Sequence, residues 1–164
     1  MAQQLHKVVD VEPMIAKEGE FEIGLLTCYL ENGESFVLYN IPPEIARAIS
    51  KLRSDDAYFE IREDNRETIY ELLIMLSPKL SEIGNSIGMV VIDHFDMSTM
   101  TYRASLYIEV DGIRIRKVMI PSHAIFLALL FNRPIYVTDE VLKISKDLEG
   151  EEEEEDDGES FIDM

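Results

Sequence analysis

The stretch Ile120-Pro-Ser-His-Ala-Ile-Phe-Leu-Ala-Leu-Leu-Phe-Asn-Arg-Pro-Ile-Tyr-Val-Thr-Asp-Glu-Val-Leu142 reads as helix, stop, strand, helix. Pro121 ends a strand, and Ser122 is a residue type suited to capping a new helix. Ala124 to Phe131 is apolar on every side, which predicts a helix buried all round. Asn132, Arg133 and Pro134 stop it. Ile135 to Val137 then reads as a short buried strand. Thr138 caps a last helix whose first turn carries Asp139 and Glu140, the charge sign favoured by the helix dipole, with Lys143 and Lys146 further along.

Working outward, two hairpins frame the chain. Ile23 to Leu30 and Ser35 to Ile41 flank Asn32-Gly33, and Thr101 to Val110 and Ile113 to Ile120 flank Asp111-Gly112, both strong turn dipeptides. Gly33 and Gly112 stand 79 residues apart, and Ile41-Pro42 and Ile120-Pro121 recur at the same spacing. A strand precedes each hairpin: Leu5 to Ala16, with Pro13 marking an edge or bulge, and Met89 to Ile92. An apolar helix follows each, one opened by Pro42-Pro43. The expectation is an α+β fold of two strand-strand-strand-helix units, its antiparallel sheet twisted or closed into a barrel, with helices packed outside. The units are joined by a helix from Glu67 to Leu76 that restarts or kinks at Pro78 and ends at Gly84. Between Arg53 and Arg66 the chain is charged, apart from Ala57 to Ile61, a short strand or an apolar clasp.

The chain has 164 residues and a net charge of −18. Residues 149–164 hold ten acids and no base, leaving 23 acids against 15 bases in the body. We therefore expect one domain over 1–148 and a disordered acidic tail over 149–164. Such a tail aids solubility, or occupies a basic partner or a basic groove on its own domain in self-inhibition. The single Cys28 lies in an apolar run and reads as a core residue. No window offers the roughly 18 apolar residues of a membrane span, and no signal peptide is evident, so the expected setting is cytoplasmic, without a membrane partner.

Several segments resemble the bifunctional nuclease domain family, in which a strand ends in Arg-Pro-Ser-Asp-Ala, an Ala/Leu-rich helix follows, and Ala-Pro-Ile-Tyr-Val leads to a Glu-Val-Leu helix. The corresponding residues are Ile120 to Ala124, Arg133 to Val137 and Glu140 to Leu142. The resemblance runs from Lys7 to Leu142 and is sharpest in its last third. Ile120 stands in place of the family's Arg and His123 in place of its Asp. Thr68-Ile69-Tyr70 falls where Thr-His-Asp is usual, and Ile45 falls on a family Glu. The resemblance implies a nuclease hydrolysing DNA or RNA with Mg²⁺ or Mn²⁺.

Phosphodiester hydrolysis uses carboxylates that hold a divalent metal, or a His base, with cations to stabilise developing charge. Asp93, His94 and Asp96 form the densest such cluster; in a regular strand His94 and Asp96 share a face while Asp93 points away. The cluster is therefore either a metal site or a solvated strand end. Ser122 and His123 open the buried helix, where a phosphate would meet free amides; the alternative is residues that serve only the helix start. Arg114 and Arg116 are expected on one solvated face of the second hairpin, answering Glu109 and Asp111. Walker, dinucleotide-binding, paired-cysteine and serine-hydrolase motifs are absent from the sequence. Two functions remain: a nuclease centred on His123, Ser122, Asp93, His94 and Asp96, or a non-catalytic module, homodimeric, on the same scaffold.

Overall fold

The computed structural model describes residues 3–53 and 66–162, with side chains to Gly150. The proposed strand or clasp at Ala57 to Ile61 lies outside the described residues. The elements are β1 (Leu5–Glu18), β2 (Phe21–Leu30), β3 (Ser35–Ile41), α1 (Pro43–Leu52), α2 (Ile69–Leu76), a 3₁₀ turn (Ser77–Lys79), α3 (Ser81–Ser86), β4 (Ile87–Asp96), β5 (Thr101–Val110), β6 (Ile113–Met119), α4 (Pro121–Leu130), β7 (Ile135–Thr138) and α5 (Asp139–Ile162). The fold is α+β. Helix α5 carries on past Glu149 through the acidic run.

Seven strands form one sheet in the order β3-β2-β1-β7-β4-β5-β6. The sheet is open, with β3 and β6 as its edges, and does not close into a barrel. Its order is symmetric about β7, and the β1-β2-β3-α1 unit recurs as β4-β5-β6-α4. Strand β7 is antiparallel to β1 and parallel to β4, so the two units run in opposite directions across it. Helices α1 and α4 touch each other, α1 lying on β1 and β2 and α4 on β4 and β5. This is the arrangement of a pseudo-two-fold axis through the sheet near β7. The sequence spacing of 79 residues is therefore a structural repeat, and β7 is the element added to it.

Local chemistry explains most of the boundaries. In the β5–β6 turn both Asp111 and Gly112 have positive φ, 52° and 78°, the backbone of a type I′ turn. Asn132, with φ of 54°, closes α4 in a Schellman motif: Arg133 N–H donates to Ala128 C=O at 2.7 Å and Asn132 N–H to Leu129 C=O at 3.3 Å. Thr138 Oγ1 accepts from Val141 N–H at 3.3 Å and so caps α5. Pro13 sits where β1 has separated from β7, which pairs only with Leu5 to Lys7, so its missing N–H leaves no ladder bond unmade on that side.

Three expectations are corrected. Strand β4 does not end at Ile92 but runs to Asp96, with a bulge between Ile92 and His94. Gly84 lies inside α3 rather than ending a helix; a Cβ there would stand 2.4 Å from Phe131 Cδ1, so close approach is what requires glycine. Ser122 does not cap α4, because Ile120 holds the N-cap position and Pro121 the first helical one.

The core joins both units. Phe36, Leu26, Ile45 and Ile49 from the first are buried with Ile92, Ile125, Phe126 and Val137 from the rest. As expected, α4 is buried nearly all round. Cys28 is fully buried, and burial pushes its thiol up to about 12, where it behaves as a small apolar residue.

Candidate functional site

The two Ile-Pro corners meet. Ile41-Pro42 and Ile120-Pro121 line one cavity of about 310 Å³, together with the start of β5 and the face of α5 that carries Ser145, Leu148 and Glu149. Its walls are largely apolar, from Leu38, Ile41, Phe95, Met100, Ile120 and Leu148. Tyr102 packs edge-on against Phe36 at 5.1 Å between ring centroids and lies 4.7 Å from Phe95. Burial raises its phenol above the ordinary value against the opposing effect of a hydrogen bond with Ser145.

Ser122 is the second helical residue of α4, fully buried, and lines this cavity. Its hydroxyl is the one buried side-chain polar atom without a hydrogen-bond partner among the described residues. Most buried hydroxyls are paired, so an orphan calls for an explanation.

His123, the next residue, faces elsewhere. Its Nε2 lies 3.5 Å from Tyr70 Oη on α2, the two rings nearly perpendicular with centroids 6.1 Å apart. Tyr70 also stacks edge-on against Phe126 at 5.2 Å, and its phenol is raised by burial and by the Glu44 carboxylate. His123 is thus half-buried against an aromatic wall.

The residues of the β4 cluster go to separate surroundings. Asp93 accepts from Ser105 Oγ at 2.7 Å, and the same hydroxyl accepts from Arg116 Nε at 2.8 Å. His94 is exposed. Asp96 closes the β4–β5 turn: its Oδ1 accepts from Ser98 Oγ at 2.6 Å and Ser98 N–H at 2.9 Å, and its Oδ2 from Arg103 at 2.9 Å. The Ser98 hydroxyl, then the Ser98 amide, hold its carboxyl below the usual range. Among the described residues no three His, Cys, Asp or Glu side chains converge on one point. A Mg²⁺ or Mn²⁺ ion wants several hard oxygens around a single centre, and this donor set does not fit that need.

The candidate residues therefore diverge: Ser122 lines the cavity, His123 faces α2, Asp93 lies along the sheet and Asp96 closes a turn. Asn40, Thr101, Tyr102 and Ser145, which were not among the candidates, also line the cavity. The signal for the first of these was available, since Asn40 precedes the Ile-Pro corner that repeats at Ile120. Arg114 lies directly opposite Glu109, as expected, whereas Arg116 reaches across to Ser105 rather than towards Asp111.

No family model matches the chain, and no curated protein is similar to it.

Proposed function

We propose that this chain is a non-catalytic interaction module, homodimeric through the β6 edge, on a scaffold like that of the bifunctional nuclease domains. The observation that carries the reading is an asymmetry between equivalent edge strands. In β3, Phe36 is 0% and Ile41 7% exposed; the residues 79 positions later, Ile115 and Ile120, are 38% and 61% exposed. Ile113 and Val118 add to the same bare strand at 64% and 58%. An open edge offers unpaired backbone groups as well as apolar side chains, and soluble proteins rarely leave both uncovered.

A second copy suits the edge. Arg114 stands opposite Glu109, and Arg116 is held by Ser105 and Asp93 on its own sheet, which lessens the charge repulsion when two β6 strands pair antiparallel about a two-fold axis. The non-catalytic part of the reading rests on occupied partners: Asp93, Asp96 and His123 are each engaged in a local contact that serves packing or a turn.

Sedimentation velocity of the intact chain tests the assembly. A dimer is expected, and Ile115→Asp, a charge on the exposed edge, converts it to a monomer while leaving the melting temperature of the subunit within a few degrees. Labelled single-stranded DNA and RNA in Mg²⁺ or Mn²⁺ test the chemistry. Cleavage that needs the metal and vanishes in His123→Ala would overturn the non-catalytic reading; a monomeric wild type would overturn the dimer.

A further inference from the structure

We propose that the cavity between the two Ile-Pro corners binds a small, uncharged, mainly apolar molecule that presents a hydrogen-bond acceptor, such as a ketone oxygen, to Ser122 in the first turn of α4. This does not depend on the reading above: a chain that cleaves nucleic acid and one that does not would bind it alike.

Three independent features support the assignment. Ser122 lines the cavity, and its Oγ is fully buried and has no partner among the described residues, so a donor is held dry and unused beside it. The hydroxyl is not a requirement of the corner, because the equivalent residue at the start of α1 is Pro43, which has no donor at all. The scaffold thus makes the same strand-to-helix corner with an apolar residue in that place. Pro121 brings no N–H, and the His123 and Ala124 amides donate to Ile120 C=O, so what the first turn of α4, a ten-residue helix without a side-chain cap, adds is the positive end of the helix dipole.

The walls specify the ligand class. Leu38, Ile41, Phe95, Tyr102 and Leu148 offer apolar and aromatic contact, and about 310 Å³ lies at the small end of the usual range for small-molecule sites. Among the described residues no Lys or Arg lines the cavity, and Glu149 is the charged residue that does. A phosphate or carboxylate ligand would therefore enter against a like charge with no counter-cation, whereas a neutral carbonyl oxygen meets a hydroxyl and a helix N-terminus.

The neutral naphthyl ketone 6-propionyl-2-(dimethylamino)naphthalene is a suitable probe, titrated into the intact chain and read by its fluorescence. Saturable binding at one site with blue-shifted emission is expected. The similarly sized anion 1-anilinonaphthalene-8-sulfonate should bind at least about tenfold more weakly. Ser122→Ala should weaken the ketone about two- to tenfold, the value of one hydrogen bond, while leaving the ligand-free melting temperature unchanged or higher. Thr101→Trp, which fills the mouth from the exposed start of β5, should abolish binding without loss of the circular dichroism spectrum. The proposal is overturned if binding is not saturable, if the sulfonate binds as well as the ketone, or if either substitution leaves ketone affinity unchanged. A Ser122→Ala chain that melts lower would likewise overturn it, because the hydroxyl would then serve the fold.

Discussion

Gly84 and Phe131 show how a single hydrogen atom can be the condition for a packing arrangement. A Cβ at Gly84 would lie 2.4 Å from the Phe131 ring edge and 3.1 Å from its Cβ, so rotating the ring would not clear the clash. Gly84→Ala should destabilise the chain by about 1–3 kcal/mol, the usual range for overpacking, and Phe131→Ala in the same chain, which removes the ring and its Cγ, should recover part of the loss. Urea unfolding of the four members of that cycle checks it; equal losses with and without Phe131 would show that the glycine acts through its backbone instead. Cys28 gives a second prediction at this scale. With its thiol raised to about 12 by burial, almost no thiolate is present at pH 8. An aromatic disulfide reagent should therefore react only at the rate of opening, rising in step with the unfolded fraction in denaturant. Prompt reaction in the native state would contradict the burial.

Helix α2 has no fully buried residue, packs on the core through half-buried Tyr70, Leu73 and Ile74, and is fixed at its first turn. Thr68 and Glu71 form a reciprocal capping box, and Glu71 also accepts from Lys51 Nζ at 3.0 Å. Burial alone would raise the Glu71 carboxyl, but hydrogen bonds with Glu67, the Thr68 amide and Lys51 bring it down to about 2, from 4.5. A carboxyl lowered on folding contributes stability in full above its unfolded value and loses it as pH falls towards the folded one. Stability should therefore decline between about pH 5 and pH 2, and Glu71→Gln, which keeps the capping geometry, should flatten that decline in acid titrations of urea unfolding. An identical pH profile in the variant would remove Glu71 from the account. Thr68→Ala should cost about 1 kcal/mol. Elements of this kind were legible in the sequence because their causes are local: the Gly turns, the Ile-Pro corners and the Thr138 cap all follow from neighbouring residues. The bulge in β4 was not legible, because a bulge is set by register with β5. Ser122 was misplaced by the residue beside it: Pro121 occupies the first helical position, so the serine moves into the turn, and it is buried where α4 packs on α1, β4 and β5, which lie elsewhere in sequence.

At the scale of the whole molecule the two units are bound together by β7, whose position the sequence could not disclose. It is four residues long, it follows both hairpins, and its partners are the first strand of each unit. Val137 is fully buried in it, standing opposite His6 on one side and Ile92 on the other. The α1–α4 contact is the second link between the units, and it belongs to the same core. If the repeat were two independently stable halves, weakening β7 would loosen their junction and leave each hairpin intact. The shared core implies the contrary, that β2 and β5 owe their protection to one cooperative transition. Val137→Ala should lower global stability by about 2 kcal/mol, as expected for shrinking a fully buried valine. Amide exchange should then quicken by a similar factor in β2 and β5, although neither strand touches the substituted residue's own ladder. Exchange that quickens in one hairpin while the other stays protected would show two stability units in place of one, and would make β7 a hinge between them.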